Sequence, residues 1–336
     1  MITASPHARL SSPTPGWREL WRDAITDPGE LLRAVGLGGR ADLLPPDDAG
    51  FALRVPRGFV ARMRHNDPLD PLLLQVLPQR AEHDRAEGFT LDAVGDMASK
   101  AGHGVLHKYD GRALLIASGS CAINCRYCFR RHFPYGEEIA AASQWHEALA
   151  HVKADASIRE LILSGGDPLA LATHKLEELT RGLAELPHVV RLRIHTRLPV
   201  VLPERIDDAF SNWLAGLPLQ KVVVLHANHA NELDASVDAA CARLRAAGAT
   251  VLNQSVLLRG INDDADTLAD LSERLFAAGV LPYYLHQLDR VQGAAHFEVN
   301  DNRALALMEA LRARLPGYLV PRLVREVGGD ASKRPL

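Results

Sequence analysis

The 336 residues are 47% hydrophobic and 24% charged, enough apolar material for the core of one large domain or two, which excludes a disordered chain. Lys and Arg number 38 against 41 Asp and Glu, and the net charge of -3 excludes the basic excess of a dedicated nucleic-acid binder, so no direct nucleic-acid partner is expected. The N-terminus lacks the apolar core of a signal peptide and no stretch is apolar for long enough to span a bilayer; a cytoplasmic protein with no membrane partner is expected.

Residues 1 to about 15, rich in Ser, Pro and Thr, read as a frayed leader. Two short helical patterns follow between Trp17 and Gly36, where Trp17, Leu20, Trp21 and Ile25 recur at helical spacing as a core face and Asp27-Pro28 punctuates the join. Several prolines and short apolar groups between Leu43 and Gly88 continue a mostly helical N-terminal extension, residues 1–101, with a soft boundary near Gly102.

Beyond it, strand-like and helix-like segments alternate. Strands are predicted at Ala113–Ala117, Glu160–Ser164, Val189–His195, Lys221–Leu225, Thr250–Val256 and Pro282–His286, with helices at about 139–153, 172–185, 204–215, 234–247, 264–278 and 302–314. This βα repeat implies an α/β fold with a parallel sheet and helices outside, and six units suggest an open, partial barrel over 102–325. In such barrels chemistry gathers where the strands end, and each predicted strand here exits into polar or Gly-rich sequence.

The run after the first strand, Ser120-Cys-Ala-Ile-Asn-Cys-Arg-Tyr-Cys-Phe-Arg-Arg-His132, places Cys121, Cys125 and Cys128 within eight residues. In a reducing compartment clustered thiols mean metal or redox chemistry, and thiolates are soft ligands suited to an iron–sulfur cluster or to zinc. The fourth cysteine, Cys241, lies far off in a helical pattern. Three thiolates would leave one iron of a cluster open; a zinc knuckle completed by His132 is the competing reading. After the second strand, Ser164-Gly165-Gly166-Asp167-Pro168 is either a plain tight turn or a place where backbone groups approach a ligand.

The C-x3-C-x2-C spacing followed one strand later by Gly-Gly-Asp resembles the radical S-adenosylmethionine (SAM) enzymes. The resemblance narrows with Arg193-Ile-His-Thr-Arg-Leu-Pro-Val-Val-Leu-Pro203, Asn253-Gln-Ser-Val-Leu-Leu-Arg-Gly-Ile-Asn-Asp263 and Pro282-Tyr-Tyr-Leu-His-Gln-Leu-Asp289, which together look like the lysine 2,3-aminomutase family. Phe51-Ala-Leu-Arg-Val-Pro-Arg57, Cys128-Phe-Arg-Arg-His-Phe-Pro-Tyr135 and Val291-Gln-Gly-Ala-Ala-His-Phe297 look most like the branch that serves translation elongation factor P.

What the resemblance implies is a partial (β/α)6 radical SAM barrel with an N-terminal helical extension, a 4Fe-4S cluster on Cys121, Cys125 and Cys128, SAM on the open iron, and pyridoxal phosphate (PLP). The amino group of SAM would meet Ser164, Gly165, Gly166 and Asp167, with Arg197 and His226 nearby. PLP would be held by Lys333, in a C-terminal segment 326–336 that otherwise reads as a solvated tail, with Lys108 and Arg112 at its phosphate, Tyr109 beside its ring, and Asn253 and Gln254 in contact. Arg130 would grip the substrate carboxylate, and Asp289 and Glu326 a substrate ammonium group. The implied reaction is an isomerisation of L-lysine from the (S)-α to the (R)-β form, using an external electron donor; a separate ligase would attach β-lysine to elongation factor P. Moving an amino group between carbons requires C–H activation that acid–base side chains cannot supply, hence the cofactors. Aminomutases of this kind carry a zinc-ligating cysteine where Asp264 stands and others in a C-terminal tail; no zinc is expected here, which leaves the form of any homo-oligomer open. The rivals are an aminomutase for ornithine or glutamate and a noncatalytic zinc protein.

Overall fold

A computed structural model of the chain describes residues 15–44, 50–139, 145–183 and 185–336. The frayed leader, except for residue 15, and residues 140–144 of the first predicted barrel helix lie outside them.

Ten strands form one sheet in strictly sequential order: β1 Lys100–Gly102, β2 Val105–Tyr109, β3 Arg112–Ser118, β4 Glu160–Gly165, β5 Arg191–Thr196, β6 Gln220–His226, β7 Ala249–Val256, β8 Leu281–His286, β9 Arg322–Arg325 and β10 Arg334–Pro335. Pairing is parallel from β3 through β9 and antiparallel at both edges, β1 with β2, β2 with β3, and β9 with β10. The result is an open, partial barrel. Strands β3 to β8 are the six predicted ones, shifted at most two residues at either end. They were legible because a parallel sheet covered on both faces needs near-continuous apolar runs such as Leu161-Ile-Leu163 and Val222-Val-Val-Leu225. A seventh parallel strand, β9, was not predicted.

The helices are α1 Trp17–Arg22, α2 Pro28–Ala34, α3 Arg57–Val60, α4 Pro71–Leu74, α5 Trp145–Ala154, α6 Thr173–Leu183, α7 Leu198–Val201, α8 Asp208–Gly216, α9 Ala235–Ala246, α10 Ala265–Ala277 and α11 Asp301–Arg314. Four of the crossover helices start at a side-chain cap. Asp207, Asp234, Asp264 and Asn300 accept hydrogen bonds from free amides at the starts of α8, α9, α10 and α11, satisfying donors that no preceding turn can pair. Asp264, standing where relatives were expected to carry a zinc-ligating cysteine, thus caps a helix. Its Oδ1 accepts from the Thr267 amide at 2.8 Å and its Oδ2 from the Thr267 hydroxyl at 2.6 Å. Leu268, Leu271 and Leu275 of α10 recur on one face and are buried.

Leu31, Phe59, Leu72 and Leu73 of the N-terminal extension share one apolar cluster with Leu115, Leu161, Leu192 and Val223 of the strands, so packing continues across the region of Gly102. A second cluster joins α10 and α11 to β8 and β9 through Leu268, Leu285, Leu307, Leu311 and Leu323. Among the described residues no helix is long and apolar enough to cross a membrane.

Candidate active site

Seven parallel strands direct their carboxyl ends to one rim, where a cavity of about 1010 Å³ opens. The cysteine loop lies at one end and the β9–β10 turn carrying Lys333 at the other; both line the same space.

At the first end, Cys121, Cys125 and Cys128 line the cavity. Among the described residues no group of His, Cys, Asp or Glu side chains is arranged around a single metal ion; a cubane takes one thiolate per iron, so its ligands surround a volume instead of meeting at a point. Burial and the neighbouring thiols push Cys121 well above the usual thiol range, and burial followed by the charge of Cys125 pushes Cys128 up to about 11. A cationic group that accepts thiolate charge therefore fits this donor set, and Arg197 already supplies one contact: its Nη1 donates to Cys125 Sγ at 2.6 Å. That guanidinium is itself fixed, donating to Tyr127 Oη at 2.8 Å, Gln75 Oε1 at 2.8 Å and Glu232 Oε2 at 2.9 Å. Burial opposes its charge, but Cys125, Tyr127 and Glu232 outweigh burial. His226 Nε2 lies 2.9 Å from the Tyr127 hydroxyl, and burial lowers its pKa to about 3, keeping it neutral.

The glycine turn braces the cysteine loop. Gly165 has φ +124, and a Cβ there would collide with the Ser118 carbonyl; one on Gly166 would lie 2.7 Å from the Ser120 carbonyl. The absent side chains let the Gly166 amide donate to Ser118 O at 2.6 Å and the Asp167 amide to Ser120 O at 2.9 Å. Asp167 lines the cavity, but its carboxylate accepts from Thr196 Oγ1 at 2.7 Å and from the amides of Leu169, Arg197 and Leu198. It joins the ends of β4 and β5, leaving the backbone of the turn as the ligand-facing part. Burial raises its pKa to about 6, against those hydrogen bonds.

At the second end, Glu326 sits between two lysines, 3.1 Å from Lys108 Nζ and hydrogen-bonded to Lys333 Nζ. Burial works against the charge of Glu326, yet Lys333 and Lys108 overcome it and lower its pKa to about 2. Lys108 is also 2.7 Å from Asp96 Oδ1 and donates to Val94 O at 2.9 Å. Lys108, expected at the phosphate of PLP, thus lines the cavity with its charge shared between two carboxylates. Arg112, whose guanidinium lies 4.5 Å over the Tyr109 ring, is the expected phosphate partner that forms no ion pair among the described residues. Burial and then Glu326 push the Tyr109 phenol upward. Arg130 donates from Nε to Asp96 Oδ2 at 2.7 Å and from Nη1 to Ser164 Oγ at 3.0 Å. Asp289 is half-buried, its Oδ1 buried and unpartnered, and burial and Glu326 raise its pKa to about 7.

Asn253 is placed elsewhere. Successive residues of a strand face opposite sides, so Asn253 and Gln254 cannot both reach the cavity. Gln254 lines it. Asn253 faces the helices, its side chain accepting from the Ala227 amide at 2.9 Å and donating to Ala227 O and Ser255 Oγ. Sequence reasoning missed Asp96, which carries no motif and reaches the site from an irregular segment. It noted His195 and His286 without giving them a role; their Nε2 atoms are buried without partners and burial depresses their pKa values, to about 3 for His286. The signal for these was their place at the carboxyl ends of β5 and β8.

The radical SAM superfamily model matches residues 115–271. A protein from Escherichia coli strain K12 named L-lysine 2,3-aminomutase is 51% identical over 95% of this chain and 94% of its own length. One of the same name from Haemophilus influenzae is 46% identical over 94% of each chain. Among solved structures, a radical SAM methyltransferase from Sphaerobacter thermophilus is 20% identical with a TM-score of 0.48, covering 66% of this chain and 68% of that one.

Proposed function

Because this chain belongs to the lysine 2,3-aminomutase family of radical SAM enzymes, and is by that membership an isomerase that uses a 4Fe-4S cluster and SAM, we propose that it converts (S)-α-lysine to (R)-β-lysine with PLP bound through Lys333. The observation that carries the reading is one cavity lined by three cysteines, a guanidinium, a lysine and a carboxylate whose buried oxygen has no partner.

The cluster with SAM supplies hydrogen-atom abstraction when bound, and PLP supplies a conjugated ring that lets an amino group change carbons. The residues fit both groups. Cys121, Cys125 and Cys128 would hold the cluster, with the Gly165–Gly166 backbone facing the amino group of SAM. Lys333, Tyr109, Arg112, Gln254 and the unpartnered Nε2 atoms of His195 and His286 would face PLP.

The rest is recognition. Arg130 is fixed to Asp96 and Ser164 and offers a planar cation to the substrate carboxylate. Asp289, whose buried Oδ1 lacks a donor, is suited to the far ammonium group of lysine, with Glu326 beside it. That pair of carboxylates favours lysine over glutamate, whose far end is anionic. The radical chemistry requires that water and stray reductants be kept out.

Product destined for elongation factor P, through a separate ligase in the cytoplasm, is supported by the motifs shared with that branch of the family. An external electron donor is required because no side chain here delivers single electrons at the needed potential.

The test is anaerobic incubation of the reconstituted protein with SAM, PLP, a reductant and lysine, followed by mass spectrometry and NMR. β-Lysine and 5′-deoxyadenosine should form, and both Lys333→Ala and Cys125→Ala should abolish β-lysine. Deoxyadenosine without β-lysine would move the search to other substrates, lysylated elongation factor P included. Neither product, from protein verified to contain cluster and PLP, would overturn the reading.

A further inference from the structure

Asp96, which enters the assignment above only as an anchor of Arg130, engages two cations at the cavity, as Glu326 does. It is 2% exposed and lines the cavity. Its Oδ2 accepts from Arg130 Nε at 2.7 Å, and its Oδ1 lies 2.7 Å from Lys108 Nζ. Lys108 in turn reaches Glu326. The segment that delivers Asp96 is held at several points. Thr90 pairs with the chain around Val291, Asp92 accepts from the amides of Asp96 and Met97, and the Val94 carbonyl accepts from Lys108. Gly95, at φ +68, lies against Gly328, so this segment packs directly on the chain leading to Lys333.

We propose that Asp96 is the positioning residue for substrate carboxylate recognition: by holding Nε of Arg130 it aims the remaining edge of the guanidinium into the cavity, and through Lys108 it ties that orientation to the ammonium end of the site. The geometry requires such a fixture. A guanidinium has five N–H donors in one plane, and its rotation about the side-chain axis decides which of them meets a ligand. Asp96 occupies Nε and Ser164 occupies Nη1, leaving Nη2 without a protein hydrogen-bond partner among the described residues. The guanidinium carbon also lies 4.8 Å from the centre of the Phe129 ring and 5.9 Å from that of Phe133, contacts that do not select among the N–H donors. Burial favours the protonated acid at Asp96, but Arg130 and Lys108 keep it ionised, so the fixture is a charge-assisted bond across the neutral pH range.

This inference rests on the proposed lysine substrate, and the test separates the two. Equilibrium binding of L-lysine and of 1,5-diaminopentane, which keeps both amines and lacks the carboxylate, is measured calorimetrically on the anaerobic holoprotein without reductant. The wild type should prefer lysine. Asp96→Asn should weaken lysine by roughly tenfold or more while leaving 1,5-diaminopentane within about twofold, and Asp96→Glu should restore part of the loss. Ser164→Ala, a smaller change, should give a smaller loss of the same selective kind and serves if Asp96→Asn fails to fold. Equal weakening of both ligands, or no weakening of either, would overturn the positioning role. A wild type that binds neither ligand would overturn the substrate reading itself.

Discussion

Asp289 and Glu326 lie in one cavity yet hold opposite protonation tendencies, because charge and burial are divided unequally between them. Glu326 has two lysines at hand, whereas Asp289 has an unpartnered oxygen and a carboxylate neighbour. A substrate ammonium group needs Asp289 ionised, so lysine affinity should fall as pH drops through 7, by about tenfold between pH 8 and pH 6. Asp289→Asn should bind lysine weakly and lose that step. For stability the sign is reversed. A carboxyl whose folded pKa is raised costs nothing below its unfolded value near ~3.9 and its full penalty above 7, so the folded state loses stability across that window. Asp289→Asn should therefore melt higher than wild type without ligand, by a margin that grows from pH 4 to pH 7; a constant margin would contradict the assignment. At this scale a motif named the cysteines and Lys333, and the fold brings all four to one cavity. The sequence was silent at Asp96, whose partners lie 34 and 12 positions away along the chain and meet it only through the fold.

Among the elements, the turn after β4 and the start of α10 make contrasting tests. Gly165→Ala places a side chain against the Ser118 carbonyl at a backbone conformation that L residues rarely adopt. It should cost about 2 kcal/mol or more and displace the cysteine loop, so iron bound per chain after reconstitution should drop. Asp264→Ala removes a helix cap and should cost about 1 kcal/mol, visible as a lower melting temperature with iron content unchanged. Strands β3 to β8 could be read from apolar runs and the helices from period and caps. Strand β9 could not, since four residues bounded by arginines show neither signal; its place is set by pairing Tyr284, Leu285 and His286 of β8 with Arg322, Leu323 and Val324. Strand β10 follows from β9, and so does the position of Lys333. The pair Asn253 and Gln254 shows the limit of motif transfer, because a motif names adjacent residues and a strand turns them to opposite faces.

Over the whole molecule, sequential strand order explains why residues from 96 to 333 converge: each βα unit adds one strand and one loop to the same rim. The N-terminal extension contributes core residues to that barrel and, through Asp96, reaches the cavity itself. The N-terminal extension and the C-terminal strands thus bear on one site. The proposed isomerisation requires that hydrogen leave and return within this cavity. The most direct measurement is turnover of L-lysine carrying deuterium at C3, with the label followed by NMR and mass spectrometry. Deuterium should appear in the 5′-deoxyadenosyl group and at C2 of β-lysine; β-lysine whose new C2 hydrogen comes entirely from solvent would contradict a radical passed between cofactor and substrate in this cavity.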